Sequence, residues 1–300
     1  MKQSKVLVTG GEGFIASHLV DKLISLNFNV VVIDNESSEC NDQFYKNSNA
    51  TYYRYDICDY GEIRHLFNDV DFVFHMAAET KIQIALQNPL LCFKTNILGT
   101  STILQCCKEA NVKAVIYSST SSAYGLKNLP PHDETMPTDC LNPYSVSKVS
   151  GEEICKMYTK LYGLHTVILR YFNVYGPRQS TKGPYASVLG IFNRQLNQKT
   201  PLTVVGDGEQ QRDFVHVADV VYANILSMKH YKKCSGEIFN VGSGKSVSII
   251  DIARMMSDNI ICLEPREGEA FLTQANIEKI TTIMNWSPTK TVEKFIKENK

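Results

Sequence analysis

Tyr144 and Lys148 lie four residues apart in the run PYSVSK, residues 143–148. On a helix that spacing puts a phenol and an ammonium group on one face. A free phenol, with a pKa of about 10, is a poor base near neutrality. A neighbouring ammonium and a positively charged hydride acceptor both favour the phenolate and are expected to lower that value. A base of this kind suits the oxidation of a secondary alcohol, in which the hydroxyl proton is removed as hydride leaves the same carbon. Thr120 closes the cluster Ser118-Ser119-Thr120 and can hydrogen-bond the reacting oxygen. Tyr-x-x-x-Lys alone is common by chance, so the elements that would carry these three residues decide its meaning.

Those elements alternate. Val6–Val8 reads as a buried strand, followed by the glycine turn TGGEGF (9–14) and a helix to about Leu26. Val30–Ile33 is a second strand ending at Asp34, which completes a βαβ unit. Further strands are expected at Tyr52–Tyr55, Asp71–His75, Lys113–Tyr117 and Thr166–Leu169, with helices over about Leu91–Ala110 and from Asn142-Pro143 to Tyr162. Asn142 reads as the N-cap of the second helix and Pro143 as its first residue. The alternation predicts an α/β fold: a Rossmann-type doubly wound parallel sheet covered on both faces. Thr120 then falls at the carboxyl end of a strand, where such sheets bind ligands. After Gly176-Pro177 the pattern breaks into glycines, prolines and short strands such as Leu202–Val205 and Asp213–Val217. This suggests a smaller mixed lobe. We place the dinucleotide-binding domain at 1–172 and the substrate lobe mainly at 173–300, with some elements returning to the first.

Gly10 and Gly13 permit a tight turn and close approach to a pyrophosphate at a helix N-terminus, with Ala16 at the third small position. Asp34 stands where a carboxylate meets the adenosine ribose. It would repel a 2′-phosphate, so NAD is expected over NADP.

The gross numbers exclude other classes. The 300 residues carry 31 Lys and Arg against 31 Asp and Glu, so no basic surface recommends nucleic acid or an anionic membrane. Hydrophobic residues make up 43%, enough for a full core. The nine cysteines are odd in number and lack metal-type spacing, which reads as reduced thiols and no metal site. The opening MKQSKVLVTG runs from a charged pentapeptide straight into a strand. No leader or membrane span is expected, and the cytosol is the expected location.

The chain resembles the extended short-chain dehydrogenases/reductases of the nucleotide-sugar epimerase and dehydratase group over nearly its whole length. The carrying motifs are TGGEGFIASHL (9–19), VVIDN (31–35), HMAA (75–78), TNILGT (95–100), YSSTSSAYG (117–125), PYSVSK (143–148), LRYFNVYGPRQ (169–179), GDGEQQRDFVHVADV (206–220) and NVGSG (240–244). The resemblance implies a tightly held NAD, a nucleotide-diphosphate sugar, and transient oxidation at carbon 4 of the hexose. It makes Thr120, Tyr144 and Lys148 catalytic. Phe14, Ile15, Asn35 and Tyr171 join Tyr144 and Lys148 at the cofactor. Asp56 and Ile57 would contact the adenine, and Met76, Ala77 and Ala78 would line the cofactor path. Asn173 would hold the substrate, Arg212 and Arg266 its diphosphate, and Glu269 the nucleoside ribose. His75 reads as structural, while Cys140 and His132 are weaker candidates for chemistry.

A UDP-glucose or UDP-N-acetylglucosamine 4-epimerase is the expectation. The familiar 4,6-dehydratases carry acidic side chains directly after the threonine; here Ser121 and Ser122 follow it. Glu79 and Lys81 keep a dehydratase acting on a UDP- or dTDP-sugar, with or without inversion at carbon 5, as the alternative. A scaffold that binds dinucleotide without turnover is the reading from another class, and the intact Tyr, Lys and Thr weigh against it. The family pairs the helices at about 91–110 and 142–162 between subunits, so a homodimer is expected.

Overall fold

The computed structural model describes residues 3–38, 41–181, 186–265 and 270–299. The first strands are β1 (Lys5–Thr9), β2 (Asn29–Ile33), β3 (Thr51–Tyr53), β4 (Phe72–His75), β5 (Ala114–Thr120) and β6 (His165–Tyr171). Then come β7 (Asn173–Tyr175), β8 (Leu202–Val205), β9 (Gln211–His216), β10 (Glu237–Val241), β11 (Ser246–Ser248) and β12 (Ile260–Leu263). The main sheet has seven parallel strands in the order β10-β6-β5-β4-β1-β2-β3. The chain winds outward from β1 in both directions, so a crevice opens above the carboxyl ends of β1 and β4. The fold is the Rossmann-type sheet read from the sequence.

The strands are apolar without alternation because helices cover both faces. β5 is buried along its whole length, and it runs to Thr120, three residues beyond the expected Tyr117. The helix Phe14–Ser25 turns Ala16, Leu19, Val20 and Leu23 onto one face of the sheet. On the other face Ile103, Leu104, Cys106 and Cys107 of the helix Gly99–Glu109 pack with Leu7, Val73 and Val115.

The helix Pro143–Tyr162 begins as its sequence predicts. Asn142 caps it, its Oδ1 accepting the Ser145 N–H at 2.9 Å, with Pro143 in the first turn. Gly163, at φ +70, ends it in the left-handed conformation. The expected single helix over 91–110 is instead interrupted. Pro89–Phe93 and Gly99–Glu109 are α-helical, and a π-helical turn at Lys94–Leu98 joins them. Such a turn is common where a side chain must be re-aimed at a functional site.

A second, smaller core of Tyr175, Leu189, Phe192, Leu202, Phe214, Ile252 and Val292 holds the sheets β11-β9-β7 and β12-β8. The chain returns to the main sheet at β10, which pairs with β6 from Glu237↔Val167 to Val241↔Tyr171. No strand was read there. Among the described residues no helix is long and apolar enough to cross a membrane, no acid–His–Cys cluster could hold a metal, and eight cysteines are free.

Candidate active site

A cleft of about 880 Å³ opens along the carboxyl ends of the main sheet. It draws together Gly10, Gly13, Phe14, Ile15, Asp34, Asn35, Ile57, Met76, Ala77, Ala78 and Tyr171 with Thr120, Tyr144, Lys148, Asn173 and Arg212. Asp56 is not among the lining residues; its Oδ1 accepts the Cys58 N–H at 2.9 Å, and its neighbours Tyr55 and Ile57 form the wall. Arg266 and Glu269 lie outside the described residues.

The cofactor end is built from backbone. Gly10 sits at φ +66, and a Cβ there would stand 2.8 Å from the Ala77 nitrogen and Cα. Only glycine allows the turn after β1 to press against the segment after β4. The helix Phe14–Ser25 has Gly13 as N-cap and no side-chain cap, which leaves its first-turn N–H groups for an anion. The Asp34 carboxylate accepts the Glu12 N–H at 3.0 Å and the Glu36 N–H at 2.9 Å. Burial pushes Asp34 above its ordinary range, and the two backbone donors pull it back. Glu12, 2% exposed, was not singled out from the sequence. Burial, then the charge of Asp34, raises it to about 7, and the Lys46 ammonium stands 3.3 Å away. This cradle fits the diphosphate of a dinucleotide, with the Asp34 carboxylate at the end of β2.

At the floor of the cleft the polar groups hold one another. The neutral His75 ring accepts at Nδ1 from the Thr9 hydroxyl (2.8 Å) and donates from Nε2 to Thr100 (2.9 Å). Thr100 must be the acceptor of that second bond, because its own hydroxyl donates to the Asn96 carbonyl at 2.6 Å. Thr9 in turn accepts the N–H groups of Met76 and Ala77, both at 3.1 Å. Burial pushes His75 down to about 3, so it stays neutral and acts as a brace, as read. Asn96 was missed, although it sits in the TNILGT motif. The π-helical turn brings its amide to Glu79, where it accepts the backbone N–H (2.8 Å) and donates to the carbonyl (2.9 Å). A further bond at 2.9 Å reaches Ser147, between Tyr144 and Lys148. Glu79 and Lys81 both line the cleft.

Thr120 accepts the Ser122 N–H at 3.1 Å and stands within hydrogen-bonding reach of the Tyr144 phenol. Burial pushes that phenol above its ordinary value, and Thr120 lowers it. The sequence predicts a lowering by the ammonium and a bound, positively charged nicotinamide together, and burial opposes it. Here Lys148 is 3% exposed, and its Nζ lies 4.3 Å from the centre of the Tyr117 ring. Burial lowers Lys148 to about 8. Gly151 makes this seat possible, since a Cβ there would stand 2.1 Å from the Tyr117 hydroxyl. Tyr171 borders the cleft with its ring, while its hydroxyl is tied to Ser118 (3.0 Å) and Asn224 (2.8 Å). Of the weaker candidates, His132 stacks on Tyr124 and bonds the Gln274 carbonyl at 3.1 Å, and burial raises the Cys140 thiol.

On the substrate side, Arg212 Nη1 donates to the carbonyls of Gln211 (2.9 Å) and Ala270 (2.7 Å), and Asn173 donates to the Asp213 carbonyl at 3.2 Å. Asp213 is fully buried. Its carboxylate accepts from Ser243 N (2.6 Å) and Oγ (2.7 Å), Gly244 N and Ala275 N (both 3.0 Å). The NVGSG motif is thus a clamp on the residue next to Arg212.

A doubly wound dinucleotide-type sheet with threonine, tyrosine and lysine at one cleft defines an extended short-chain dehydrogenase/reductase. The model of the NAD-dependent epimerase/dehydratase family matches residues 6–242, and the chain belongs to that family. It is 37% identical to a putative UDP-glucose 4-epimerase of Methanocaldococcus jannaschii, over 97% of this chain and 96% of that one. It is 36% identical to a UDP-N-acetyl-alpha-D-glucosaminuronate decarboxylase of Bacillus cytotoxicus, over 84% of this chain and 79% of that protein. Among solved structures, a UDP-N-acetylglucosamine 4-epimerase of Methanobrevibacter ruminantium, in complex with UDP-N-acetylmuramic acid, superposes with a TM-score of 0.92. It shares 34% identity, over 99% of this chain and 97% of that one.

Proposed function

We propose that this chain is a UDP-sugar 4-epimerase, acting on UDP-glucose or UDP-N-acetylglucosamine with resident NAD. One observation carries the reading: Thr120, Tyr144 and Lys148 open into one cleft with the cofactor cradle and Arg212, and the residues after Thr120 are Ser121 and Ser122. NAD, when bound, would supply the acceptor and donor for the carbon 4 hydride. Tyr144 takes the carbon 4 hydroxyl proton and gives it back after the ketone has turned. Thr120 holds the oxygen in line, and Lys148 supplies the positive charge that favours phenolate.

Gly10, Gly13, Phe14 and Ile15 would hold the cofactor diphosphate, Asp34 and Asn35 its adenosine ribose, and Asp56 and Ile57 the adenine. Met76, Ala77, Ala78 and Tyr171 would line its path. The carboxylates of Asp34 and Glu12 support NAD over NADP, since a 2′-phosphate would add charge beside them. Asn173 and Arg212, with Arg266 and Glu269 from the sequence reading, would hold the nucleotide of the sugar. In this reading residues 1–172 serve the cofactor and 173–300 mainly the substrate. A cytosolic homodimer fits as well: Leu90, Leu98, Val146 and Leu161 are exposed around the two helical segments the family pairs.

The second reading is a 4,6-dehydratase. It is favoured by Glu79 and Lys81 lining the cleft, where they could serve the carbon 5 proton and the carbon 6 hydroxyl. Mass spectrometry after incubation with a panel of nucleotide sugars separates the two. Unchanged mass with a new isomer supports the epimerase, loss of one water supports the dehydratase, and no conversion of any sugar overturns both.

A further inference from the structure

Lys148 is a buried cation, and the charges of the groups packed around it decide what balances it. From β4, His75 is held neutral, with a value near 3. From β5, the Tyr117 phenol is pushed far up, and Ser119 carries no charge. The thiols of Cys92, on the segment Pro89–Phe93, and Cys155, on the helix of Lys148 itself, are pushed up as well. The Tyr144 phenol is raised in the same way. Glu79, from the loop after β4, is felt at Cys92. The acid whose charge acts on Lys148 itself is Glu152, 0% exposed and one helical turn beyond it.

Glu152 is held rigidly. Its Oε1 accepts from the Ser119 hydroxyl at 2.5 Å and from Arg170 Nε at 2.8 Å, and its Oε2 accepts from Arg170 Nη2 at 2.7 Å. Arg170, 2% exposed, lies on the Tyr124 ring with its guanidinium carbon 4.8 Å from the centre. Ser119 is the residue before Thr120. A buried ion pair gains little stability over apolar packing, so its placement calls for another account. This one ties β5, β6 and the helix Pro143–Tyr162 together at the level of the three catalytic candidates.

We propose that Glu152, locked by Arg170, is a positioning residue that keeps Lys148 an ammonium and sets Thr120 against Tyr144. The proposal rests on the epimerase reading for its consequence in turnover, but its physical core does not. Both are tested by replacing Glu152 with Gln, which keeps the shape and removes the charge. The first measurement is nitrogen NMR of the lysine-labelled, ligand-free protein, with the Lys148 signal assigned by its loss in Lys148→Met. Lys148 should lose its proton at least about one pH unit lower in Glu152→Gln than in the parent protein. The second is the pH profile of kcat/KM, whose high-pH limb should move down by the same amount. Should the single change prevent folding, the paired change Glu152→Gln with Arg170→Met removes both buried charges, and Lys148 should still titrate lower. An unmoved Lys148 signal in the folded variants, with activity falling evenly at all pH values, makes Glu152 merely structural and overturns the proposal. If Lys148 shifts but no nucleotide sugar turns over in the parent protein, the epimerase reading fails and the coupling stands.

Discussion

The floor of the cleft and its rim satisfy their polar groups in opposite ways. At the floor, Thr9, His75, Thr100, Asn96 and Ser147 form a continuous buried network, and Glu152 and Arg170 form another. Apart from Arg170 Nη1, which is buried without a hydrogen-bond partner, each donor meets a side chain or backbone group that no ligand needs to displace. At the rim, the Asp34 carboxylate accepts two backbone N–H groups, and Arg212 spends one nitrogen on two carbonyls. A ribose or a diphosphate can take over those bonds. The difference implies that the chemistry is preorganised, while recognition is completed when the ligand arrives.

Substitutions at the floor should therefore remove catalysis or stability, and substitutions at the rim should change selection. The largest effect is expected from Tyr144→Phe: turnover falls by about a thousandfold with NAD content unchanged, as the loss of a proton-transfer group predicts. Equal activity in the variant would take the phenol out of the mechanism. Next comes pH. The folded value of His75, about 3, lies below the ordinary 6.5, so in between the unfolded chain binds a proton that the folded one refuses. Stability should fall as pH drops through this window, by about 2 kcal/mol between pH 7 and 5 from this residue. Urea unfolding of the parent and of His75→Gln at both pH values reads that difference; identical pH slopes would show that the floor network is not closed around a neutral ring.

At the rim, Asp34→Ala should narrow the preference for NAD over NADP by about tenfold, a loss of roughly 1.4 kcal/mol in discrimination. Cofactor titration checks this, and an unchanged ratio would place the selecting charge elsewhere, with Glu12 the first to examine. The smallest effects are expected from Glu79→Gln and Lys81→Met, each costing an epimerase less than about fivefold. Complete loss of product in either would move these residues from the rim to the chemistry and favour the dehydratase.

Legibility from the sequence follows the same division. The main sheet was readable because parallel strands buried on both faces leave continuous apolar runs, and because Gly10, Asp34 and Asn142-Pro143 act through local backbone chemistry. β10 was missed: Glu237–Val241 is a short run whose role is fixed only by pairing with β6, far away in sequence. The helix near 91–110 was read without its interruption, since periodicity does not reveal that Asn96 must reach Glu79. Gly151 carried a signal, a glycine within a helix, but its meaning lies in the Tyr117 ring against it. Asp213 and NVGSG were each visible as motifs, and only their contact shows that one clamps the other. The lowering predicted for the Tyr144 phenol missed a competing cause, because burial is set by the fold and not by the four-residue spacing.

The most direct test of the account follows the hydrogen on carbon 4 of the sugar. A UDP-sugar carrying deuterium at that carbon is incubated with the enzyme in ordinary water, and both epimers are examined by NMR and mass spectrometry. The account predicts that deuterium stays at carbon 4 in both, with no loss to solvent. Deuterium washed out into water, or found at carbon 6 of a product lighter by one water, would contradict it.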